Sequence, residues 1–249
     1  MKILSLNTQK AFQPALPSFL KRVLDGGLYD FILLQEANER VLPLVRGVGA
    51  YRLLEVFDEV FSAPSHLSIV YRDTFKLKGS RLDSFGRMHP SPRLQHQGFG
   101  MLLGTFGTPQ GDIKAGTVHL HSGLRPTVRA REVQALKDRV MKERAHNTPL
   151  VFGGDFNLGI PGEVIHACSL LLPQFVASTR HLGPTLNSRY SEPHPNIVNT
   201  SAVFLAKFGL GFDLKTDHLF VDAETAKHSE ACILSDRVSD HSPIELTIL

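Results

Sequence analysis

Short apolar runs separated by turn-forming residues make up most of the hydrophobic pattern of this chain. Runs of about four to eight apolar residues bounded by Gly, Pro, Asn or Asp are typical of buried β-strands. The pattern predicts strands at Lys2 to Asn7, Asp30 to Gln35, Tyr51 to Phe57, His66 to Arg72, Gly98 to Phe106, Ile113 to Leu120, Leu150 to Gly153, Asp217 to Val221 and Ile244 to Ile248. The sequence Pro-Gln-Gly-Asp at residues 109 to 112 predicts a hairpin turn between two of these strands.

Three segments have the spacing of helices instead. The first is Pro17 to Leu24, which two glycines follow as a stop signal. The second is Thr127 to Arg144, whose partial apolar stripe is typical of a helix with one buried face. The third is Glu163 to Leu172. Residues 181 to 215 show neither period and are rich in Pro, Asn and Ser, so we predict a long functional loop there.

The balance of elements predicts the architecture. Strands outnumber helices, and several are joined by connections short enough for hairpins, which favours a mostly antiparallel, layered α/β fold. The chain has 249 residues and shows no internal repeat, low-complexity tract or linker-like composition. We therefore predict a single domain spanning residues 1 to 249, because layered α/β units reach this length as one domain.

Composition places the chain among ordinary globular proteins, with 42% hydrophobic and 20% charged residues. The net charge of +3 and the sequence pI of about 8.9 are only mildly basic. The positive charge is uneven, since residues 72 to 93 hold six Lys/Arg against two Asp, and residues 125 to 144 hold seven against three acidic residues. Both segments are either solvated faces or a surface that attracts a polyanion.

The ends of the chain and its cysteines bear on location. The N-terminal residues lack a basic start followed by a long apolar run, and no stretch is long and apolar enough for a membrane helix, so we expect neither a signal peptide nor a membrane span. Cys168 and Cys232 lie in apolar contexts, and we expect both to be reduced core residues. The simplest expectation is a cytoplasmic monomer.

The chemically informative residues are polar side chains at the ends of predicted strands. They are Asn7, Glu36, His119, Asp155, Asn157, Asp217, Asp240 and His241. Taken one at a time, each has an ordinary explanation as a turn residue, a solvated carboxylate or a buried core histidine. The segment Ser239-Asp240-His241 does not predict a serine-hydrolase relay, because adjacent residues of one strand point to opposite faces.

Taken together, these residues resemble a known family. The matching segments are Ser5-Leu6-Asn7, Leu34-Gln35-Glu36, Thr117-Val118-His119-Leu120, Gly154-Asp155-Phe156-Asn157, Asp217-His218-Leu219-Phe220-Val221 and Ser239-Asp240-His241. In order and spacing they resemble the endonuclease/exonuclease/phosphatase superfamily, whose fold is deoxyribonuclease I-like. The resemblance implies an α/β fold: a four-layer α/β sandwich of two facing, mainly antiparallel β-sheets flanked by helices, with one site at the sheet edge.

The resemblance also implies a metal-dependent phosphoester hydrolase. Mg²⁺ is a hard ion that takes one or two carboxylates together with substrate oxygens and water. We expect Glu36 to be its direct ligand, with Asn7 and Asp240 beside it, and Mn²⁺ to be able to replace it. The pair His119 and His121 could instead be metal ligands on one strand face, although no third and fourth ligand is evident.

The remaining site residues take their roles from the same resemblance. Asp155 would hold or deprotonate the attacking water, and Asn157 would orient that water and touch the phosphate. His241 would contact the phosphate while Asp217 fixes its ring and raises its basicity. His119 would donate a hydrogen bond to the oxygens that develop negative charge.

Departures from family patterns narrow the substrate. The chain has no Trp, so it lacks the Trp-containing motifs of inositol-polyphosphate 5-phosphatases and abasic-site endonucleases, and it lacks the export signal of secreted sphingomyelinases. We expect a phosphodiesterase or nuclease acting on nucleic acid or a nucleic-acid adduct. The alternatives are an enzyme for a small or lipid phosphoester, and a non-catalytic binding module on the same fold. Arg93 and Arg125 could bind a second phosphate at the rim or serve only surface solubility.

Overall fold

The computed structural model describes residues 1–11, 13–59, 63–86, 99–121, 126–144, 148–158, 171, 174–179, 181–187 and 213–249. The strands are β1 (Lys2–Asn7), β2 (Phe31–Gln35), β3 (Tyr51–Asp58), β4 (Ala63–Arg72), β5 (Lys76–Ser84), β6 (Gly100–Thr108), β7 (Gly111–His119), β8 (Leu150–Asp155), β9 (Phe175–Ala177), β10 (Leu186–Asn187), β11 (Asp213–Leu214), β12 (Asp217–Asp222), β13 (Ser229–Ile233) and β14 (Ile244–Ile248). The helices are α1 (Leu16–Asp25), α2 (Leu42–Val45), α3 (Pro126–Arg144) and α4 (Ala223–Ala226), with a 3₁₀ turn at Gln9–Ala11.

Twelve of these strands form two six-stranded sheets. The first has the order β13-β14-β1-β2-β4-β3 and the second the order β5-β6-β7-β8-β12-β9, while β10 and β11 form a separate short ladder. Within the two sheets, β1 with β2 and β7 with β8 are the parallel pairs, and the other neighbours are antiparallel. The prediction of two mainly antiparallel sheets is confirmed.

Three apolar clusters separate four layers. Alternation along β1 shows the principle, since Ile3 packs in the cluster between the two sheets and Leu4 packs in the cluster beneath α1. On the other side, Val133, Leu136 and Val140 of α3 pack against the outer face of the second sheet. The order helix, sheet, sheet, helix is the predicted sandwich, and burial of these apolar faces is its main driving force.

The pairing registers bring the ends of several strands to one edge of the sandwich. Asn7 pairs with Gln35 at the ends of the parallel strands β1 and β2. His119 pairs with Asp155 at the ends of β7 and β8, and Asp217 pairs with Asp155 from the start of β12. Polar residues that are far apart in the chain therefore meet where the two sheets face each other.

Most predicted elements are confirmed, with boundaries that differ by a few residues. The sequence missed edge strands such as β5 and β13, where only a few positions are apolar. Cys232, which we expected in the core, lies on β13 and is exposed, because only one face of this edge strand is covered. Cys168 lies outside the described residues, and so does the predicted helix Glu163 to Leu172 except for Leu171.

The structure bears only in part on two other expectations. Of the predicted loop at residues 181 to 215, the structure describes 181–187 and 213–215, where β10 pairs with β11. None of the described helices is long and apolar enough to cross a membrane. The single domain spanning residues 1 to 249 stays a prediction.

Candidate active site

Asp155, at the end of β8, is the centre of a polar cluster at this edge. The residue is 2% exposed, and its Oδ2 lies 3.0 Å from Asn7 Nδ2 and 3.1 Å from Asn157 Nδ2. The Nε2 atoms of His119 and His241 lie 3.6 Å and 3.7 Å from the same oxygen. Four of the predicted site residues thus converge on one carboxylate oxygen.

Two glycines before Asp155 let β8 pass through a crowded region. A β-carbon at Gly154, where φ is 144°, would overlap the carbonyl oxygen of Val118 and the side chain of Gln35. A β-carbon at Gly153 would overlap the backbone of the neighbouring strand β12. The two glycines therefore allow β8 to carry Asp155 to the edge of the sheet and do not merely form a turn.

The pKa of Asp155 suits a proton acceptor. Burial raises this pKa to about 7, although the charge of His241 opposes the effect. The nearby carboxylate of Asp217 raises the pKa further, and hydrogen bonds from Asn157 and Asn7 lower it. A carboxyl group that titrates near neutrality can accept a proton in the transition state and release it afterwards, as a general base must.

His241 and Asp217 form a buried hydrogen-bonded pair. The His241 Nδ1 and Asp217 Oδ2 atoms are 2.7 Å apart, and Thr216 Oγ1 donates to the same oxygen over 3.0 Å. His241 is 6% exposed and Asp217 is 3% exposed. This contact fixes the orientation of the imidazole ring and turns its Nε2 atom toward Asp155.

Mutual attraction keeps this pair charged. Burial would lower the pKa of His241, but the carboxylates of Asp217, Asp155 and Asp240 outweigh burial and raise the pKa well above its usual value. Burial would likewise raise the pKa of Asp217, yet the charge of His241 lowers it. At neutral pH the pair is an imidazolium and a carboxylate, so His241 can donate from Nε2 to an anion.

Glu36 carries the most exposed of the four carboxylates in the cluster. Its side chain is 26% exposed, against 11% for Asp240. Its φ of 55° is uncommon for a residue with a long side chain, and such backbone strain often marks functional sites. Thr8 Oγ1 donates to the Glu36 carbonyl oxygen over 3.0 Å, and Asn7 Nδ2 lies 3.4 Å from Glu36 Oε1. The carboxylate is thus held where solvent and ligands can reach it.

Asp240 approaches the cluster from the loop before β14. Its Oδ1 accepts a hydrogen bond from Ser239 Oγ over 3.1 Å and lies 3.9 Å from His241 Nε2. Ser239 Oγ also accepts the backbone N–H of His241 over 3.2 Å. Ser239 therefore shapes the loop and does not meet the imidazole as a nucleophile would, in agreement with the prediction that no serine relay forms.

Asn157 is fixed beside Asp155 by several hydrogen bonds. Its φ is 50°, and its backbone N–H donates to Asp155 Oδ1 over 2.8 Å. Its Nδ2 donates to the carbonyl oxygen of Leu120 over 2.8 Å, and the Leu120 N–H donates to the carbonyl oxygen of Asp155. The amide cannot rotate without losing these bonds, so it can orient a water molecule or a phosphate oxygen.

The cluster is rich in carboxyl groups, and this composition fits a cation. Glu36, Asp155, Asp217 and Asp240 outnumber the two imidazoles. Ligand atoms of Asp155, Asp217 and His241 all lie within 4.8 Å of one another, so this group could hold a metal ion. The hydrogen bond between His241 and Asp217 engages two of these three ligands, which makes Glu36 and Asp240 the better ligands for a hard ion. Buried carboxylates in excess of their partners are compensated by a metal or by protonation.

Among the described residues, the alternative of a metal site at His119 and His121 gains no support. The rings of His119 and His121 both lie edge-on to Phe99, with centroids 4.9 and 5.1 Å away. His121 does not belong to the group with metal-ligand spacing found among the described residues, so the alternative of a histidine metal pair gains no support. Arg93 and Arg125 lie outside the described residues, and their role at the rim stays a prediction.

Sequence reasoning missed the residues whose side chains bond the backbone beside the site. The Thr185 hydroxyl accepts the backbone N–H groups of Thr216 and Asp217 over 3.2 and 3.1 Å. Glu132 of α3 accepts the backbone N–H of His121 over 2.8 Å. These residues follow no strand end and match none of the six motifs, so no local signal could have found them.

The two facing sheets and the carboxylate-rich cluster at their edge define a class of enzyme, the phosphoester hydrolases. The model of the Endonuclease/Exonuclease/phosphatase family matches residues 4–241. The chain belongs to this family and is a phosphoester hydrolase. No curated protein sequence matches it significantly.

Solved structures share the fold over nearly the whole chain. TDP2 from D. rerio, in complex with a single-strand DNA product, is 18% identical with a TM-score of 0.72, covering 99% of this chain and 98% of that chain. Truncated TDP2 from Caenorhabditis elegans is 16% identical with a TM-score of 0.73, covering 98% and 96%. The mannosyl-6-phosphatase from Bacteroides thetaiotaomicron is 15% identical with a TM-score of 0.70, covering 100% and 99%. At these identities the similarity establishes the fold.

Proposed function

We propose that this hydrolase requires Mg²⁺ and cleaves phosphodiester bonds in nucleic acid or in a nucleic-acid adduct. The observation that carries the proposal is the excess of carboxyl groups around Asp155. A phosphate ester is an anion and would be repelled by these carboxylates. A divalent cation would invert the local potential and let the ester approach.

Glu36 and Asp240 are the residues we assign to the cation, with Asn7 beside Glu36. When bound, the ion would polarise the phosphoryl group and neutralise charge on its oxygens. The amide of Asn7 lies between the carboxylates of Glu36 and Asp155, and so sets the distance between the ion-holding carboxylate and the general base.

The chain's own residues supply the proton transfers and the anion contacts. Asp155 accepts a proton from the attacking water, and Asn157 orients that water. The Nε2–H of His241 donates to an oxygen of the phosphate, and Asp217 keeps the ring protonated and oriented. His119, whose Nε2 lies 3.9 Å from Glu36 Oε1, donates to an oxygen that becomes more negative in the transition state.

Two observations support the assignment to nucleic acid. The TDP2 structure with a single-strand DNA product shows that an enzyme with this fold can hold such a strand. The six Lys/Arg of residues 72 to 93 and the seven of residues 125 to 144 would favour a polyanion.

One observation favours a second candidate, a small phosphoester such as a sugar phosphate. Several cations of the two basic segments are already paired, as in Lys78 with Asp112 at 2.5 Å and Arg139 with Asp83 at 2.8 Å. Paired cations release fewer counterions when a polyanion binds. The similarity in fold to a mannosyl-6-phosphatase is compatible with this alternative.

A single panel of assays distinguishes these candidates. Metal-stripped protein is incubated with Mg²⁺ or EDTA and with bis-p-nitrophenyl phosphate, plasmid DNA, an abasic-site duplex, a 5′-phosphotyrosyl oligonucleotide, a sugar phosphate and inositol phosphates. We expect Mg²⁺-dependent turnover that is fastest on an oligonucleotide substrate. Fastest turnover on the sugar phosphate would favour the second candidate. Metal binding without turnover on any substrate would contradict the enzyme and favour a binding module.

A further inference from the structure

The segment 181–187 contains a residue that touches neither the general base nor the proposed ion ligands, yet contacts the Asp217–His241 pair from two sides. Thr185 is 1% exposed. Its hydroxyl accepts the backbone N–H of Thr216 over 3.2 Å and that of Asp217 over 3.1 Å. Burial raises the pKa of Asp217, while the charge of His241 and the nearby hydroxyls of Thr185 and Thr216 lower it.

These contacts use both lone pairs of the hydroxyl group. A threonine hydroxyl has one proton to donate and two lone pairs that accept. The lone pairs of Thr185 take the two backbone N–H groups at the start of β12, and the hydroxyl lies close enough to Asp217 to lower the pKa of its carboxyl group. A buried hydroxyl that accepts two backbone N–H groups fixes the backbone that carries Asp217.

The backbone of Thr185 connects the same pair from its other side. Its carbonyl oxygen accepts the N–H of Ser242 over 2.8 Å, and its N–H donates to the carbonyl oxygen of Leu214 over 2.9 Å. The next residue, Leu186, forms an isolated antiparallel bridge with His241. Thr185 therefore links the strand that carries Asp217 to the loop that carries His241.

We propose that Thr185 is a positioning residue that holds Asp217 and His241 in register for catalysis. This proposal rests on the proposed function, in which His241 contacts the phosphate. Thr185 acts through Asp217 and does not itself touch the substrate. It assigns a role to residues 181–187, which sequence analysis placed in a functional loop without naming a residue.

The test compares three variants at a temperature well below their melting points. Thr185→Val keeps the shape but removes the hydroxyl, and Thr185→Ser keeps the hydroxyl. The control is Thr179→Val, because Thr179 is also fully buried and its hydroxyl accepts a backbone N–H of β12, that of Leu219, over 3.4 Å. Leu219 is two residues beyond Asp217, so the control removes a similar bond without touching the pair.

We expect Thr185→Val to lower kcat at least about tenfold, in line with the cost of a small misplacement of a catalytic group. KM should change less than about twofold, Thr185→Ser should retain at least about a third of kcat, and Thr179→Val should lose stability with little loss of kcat. In an Asp217→Asn background, Thr185→Val should cost less than about twofold more, because both changes act through one residue. Equal losses of kcat in the two valine variants, or an undiminished loss in the Asp217→Asn background, would overturn the proposal.

A second readout does not depend on activity. The Nδ1 proton of His241, hydrogen-bonded to Asp217 over 2.7 Å, should give a downfield NMR resonance that His241→Gln removes. Thr185→Val should shift or broaden this resonance, and Thr179→Val should leave it in place. If the wild-type protein has no phosphoesterase activity, the proposed function fails and this resonance alone decides the positioning role. An unchanged resonance in Thr185→Val would overturn that role.

Discussion

Two partly buried charge clusters in this molecule differ in how their charges are balanced. Beneath α3, Lys114 pairs with Glu143 over 2.8 Å, and Arg139 pairs with Glu143 over 3.2 Å and with Asp83 over 2.8 Å. Two largely buried cations there meet two carboxylates, and the exposed Arg81 adds a contact with Asp83 over 3.1 Å. At the sheet edge around Asp155, four carboxyl groups meet two imidazoles.

The pKa directions of the carboxyl groups follow this difference. Burial alone would raise the pKa of Glu143, but hydrogen bonds and charges from Lys114 and Arg139 lower it below its usual value. At Asp155 burial raises the pKa to about 7, because the charge of His241 offsets only part of the effect. The balanced cluster of Lys114, Arg139, Glu143 and Asp83 fixes α3 on the second sheet. The unbalanced cluster has more carboxyl groups than cations. A bound metal ion would offset this excess and let an anionic substrate enter, so we propose that the chemistry takes place there.

Removing the cation should have the largest effect. We expect metal-stripped protein in excess EDTA to lose all measurable turnover, and added Mg²⁺ to restore it. Glu36→Gln should weaken Mg²⁺ binding at least about tenfold, because loss of a direct ligand should cost no less than loss of an outer-shell partner. Isothermal titration and circular dichroism would measure affinity and fold.

Glu39→Gln is the matched control, since Glu39 is an exposed carboxylate three residues beyond Glu36. It should leave the affinity for Mg²⁺ unchanged. Full turnover in EDTA would contradict the metal requirement, and equal affinity losses in both variants would show that the exposed charge near the site, rather than Glu36 itself, attracts the ion.

Asp155→Asn and His241→Ala should each lower kcat at least about a hundredfold, the range seen when a general base or a key oxyanion contact is removed. Combined, they should cost less than the product of the single effects, because both serve one transition state. The control from the balanced cluster is Glu143→Gln, which should lower the melting temperature and leave kcat nearly unchanged. Near-normal kcat in folded Asp155→Asn and His241→Ala would place the site elsewhere.

The sequence indicated which polar residues meet at the sheet edge better than it indicated the residues that surround them. Residues such as Asn7, His119 and Asp155 follow apolar strands, and their pattern resembles a known family, so both physics and resemblance pointed to one edge. Thr185 could not be found in this way, because it follows no apolar strand and lies in none of the six motifs, and its bonds to Thr216 and Asp217 leave no pattern in the sequence. Such contacts depend on where a segment with neither a helical nor a strand period lies in the fold.

Three of the four edge strands of the two sheets, β5, β9 and β13, were missed for a related reason. Strand β5 has two apolar side chains, Leu77 and Leu82, among polar and small residues, because an edge strand buries little of its surface. Strand β13 is similar and carries the exposed Cys232. Central strands such as β2, which is buried along its whole length, gave continuous apolar runs and were predicted correctly.

The two glutamates of α3 should respond to pH in opposite ways. Burial raises the pKa of Glu132 from 4.5 to about 7, although a hydrogen bond from His121 and the charge of Arg129 oppose this. The folded protein then binds the Glu132 proton more tightly than the unfolded chain does, so this group lowers stability as the pH rises from about 4.5 to about 7. The full cost is about 3 kcal/mol, at 1.36 kcal/mol per pH unit.

Glu132→Gln keeps an oxygen that can accept the His121 N–H but cannot ionise. Urea unfolding should show this variant to be more stable than the wild type at pH 8, with the difference vanishing below about pH 4.5. Glu143→Gln should be less stable than the wild type at pH 8, because it removes the partner of Lys114 and Arg139. A Glu132→Gln variant that is less stable at pH 8 would show that Arg129 compensates the charge of Glu132 fully.

The smallest expected effect concerns the substrate. It tests whether Lys and Arg side chains outside the balanced cluster bind a polyanion. Arg93 and Arg125 are the rim candidates, and two phosphate contacts on single-stranded DNA predict that KM rises about sevenfold between 50 and 200 mM salt. Arg93→Ala and Arg125→Ala should each reduce the slope of log KM against log salt by about 0.7. Lys78→Ala is the control, because Lys78 is already paired with Asp112 and its strand begins at the end remote from His119. A KM that does not depend on salt and is unchanged by either arginine variant would contradict a polyanionic substrate. A small phosphoester would then be the better candidate, because the cluster around Asp155 could hold it through a bound cation without help from the rim.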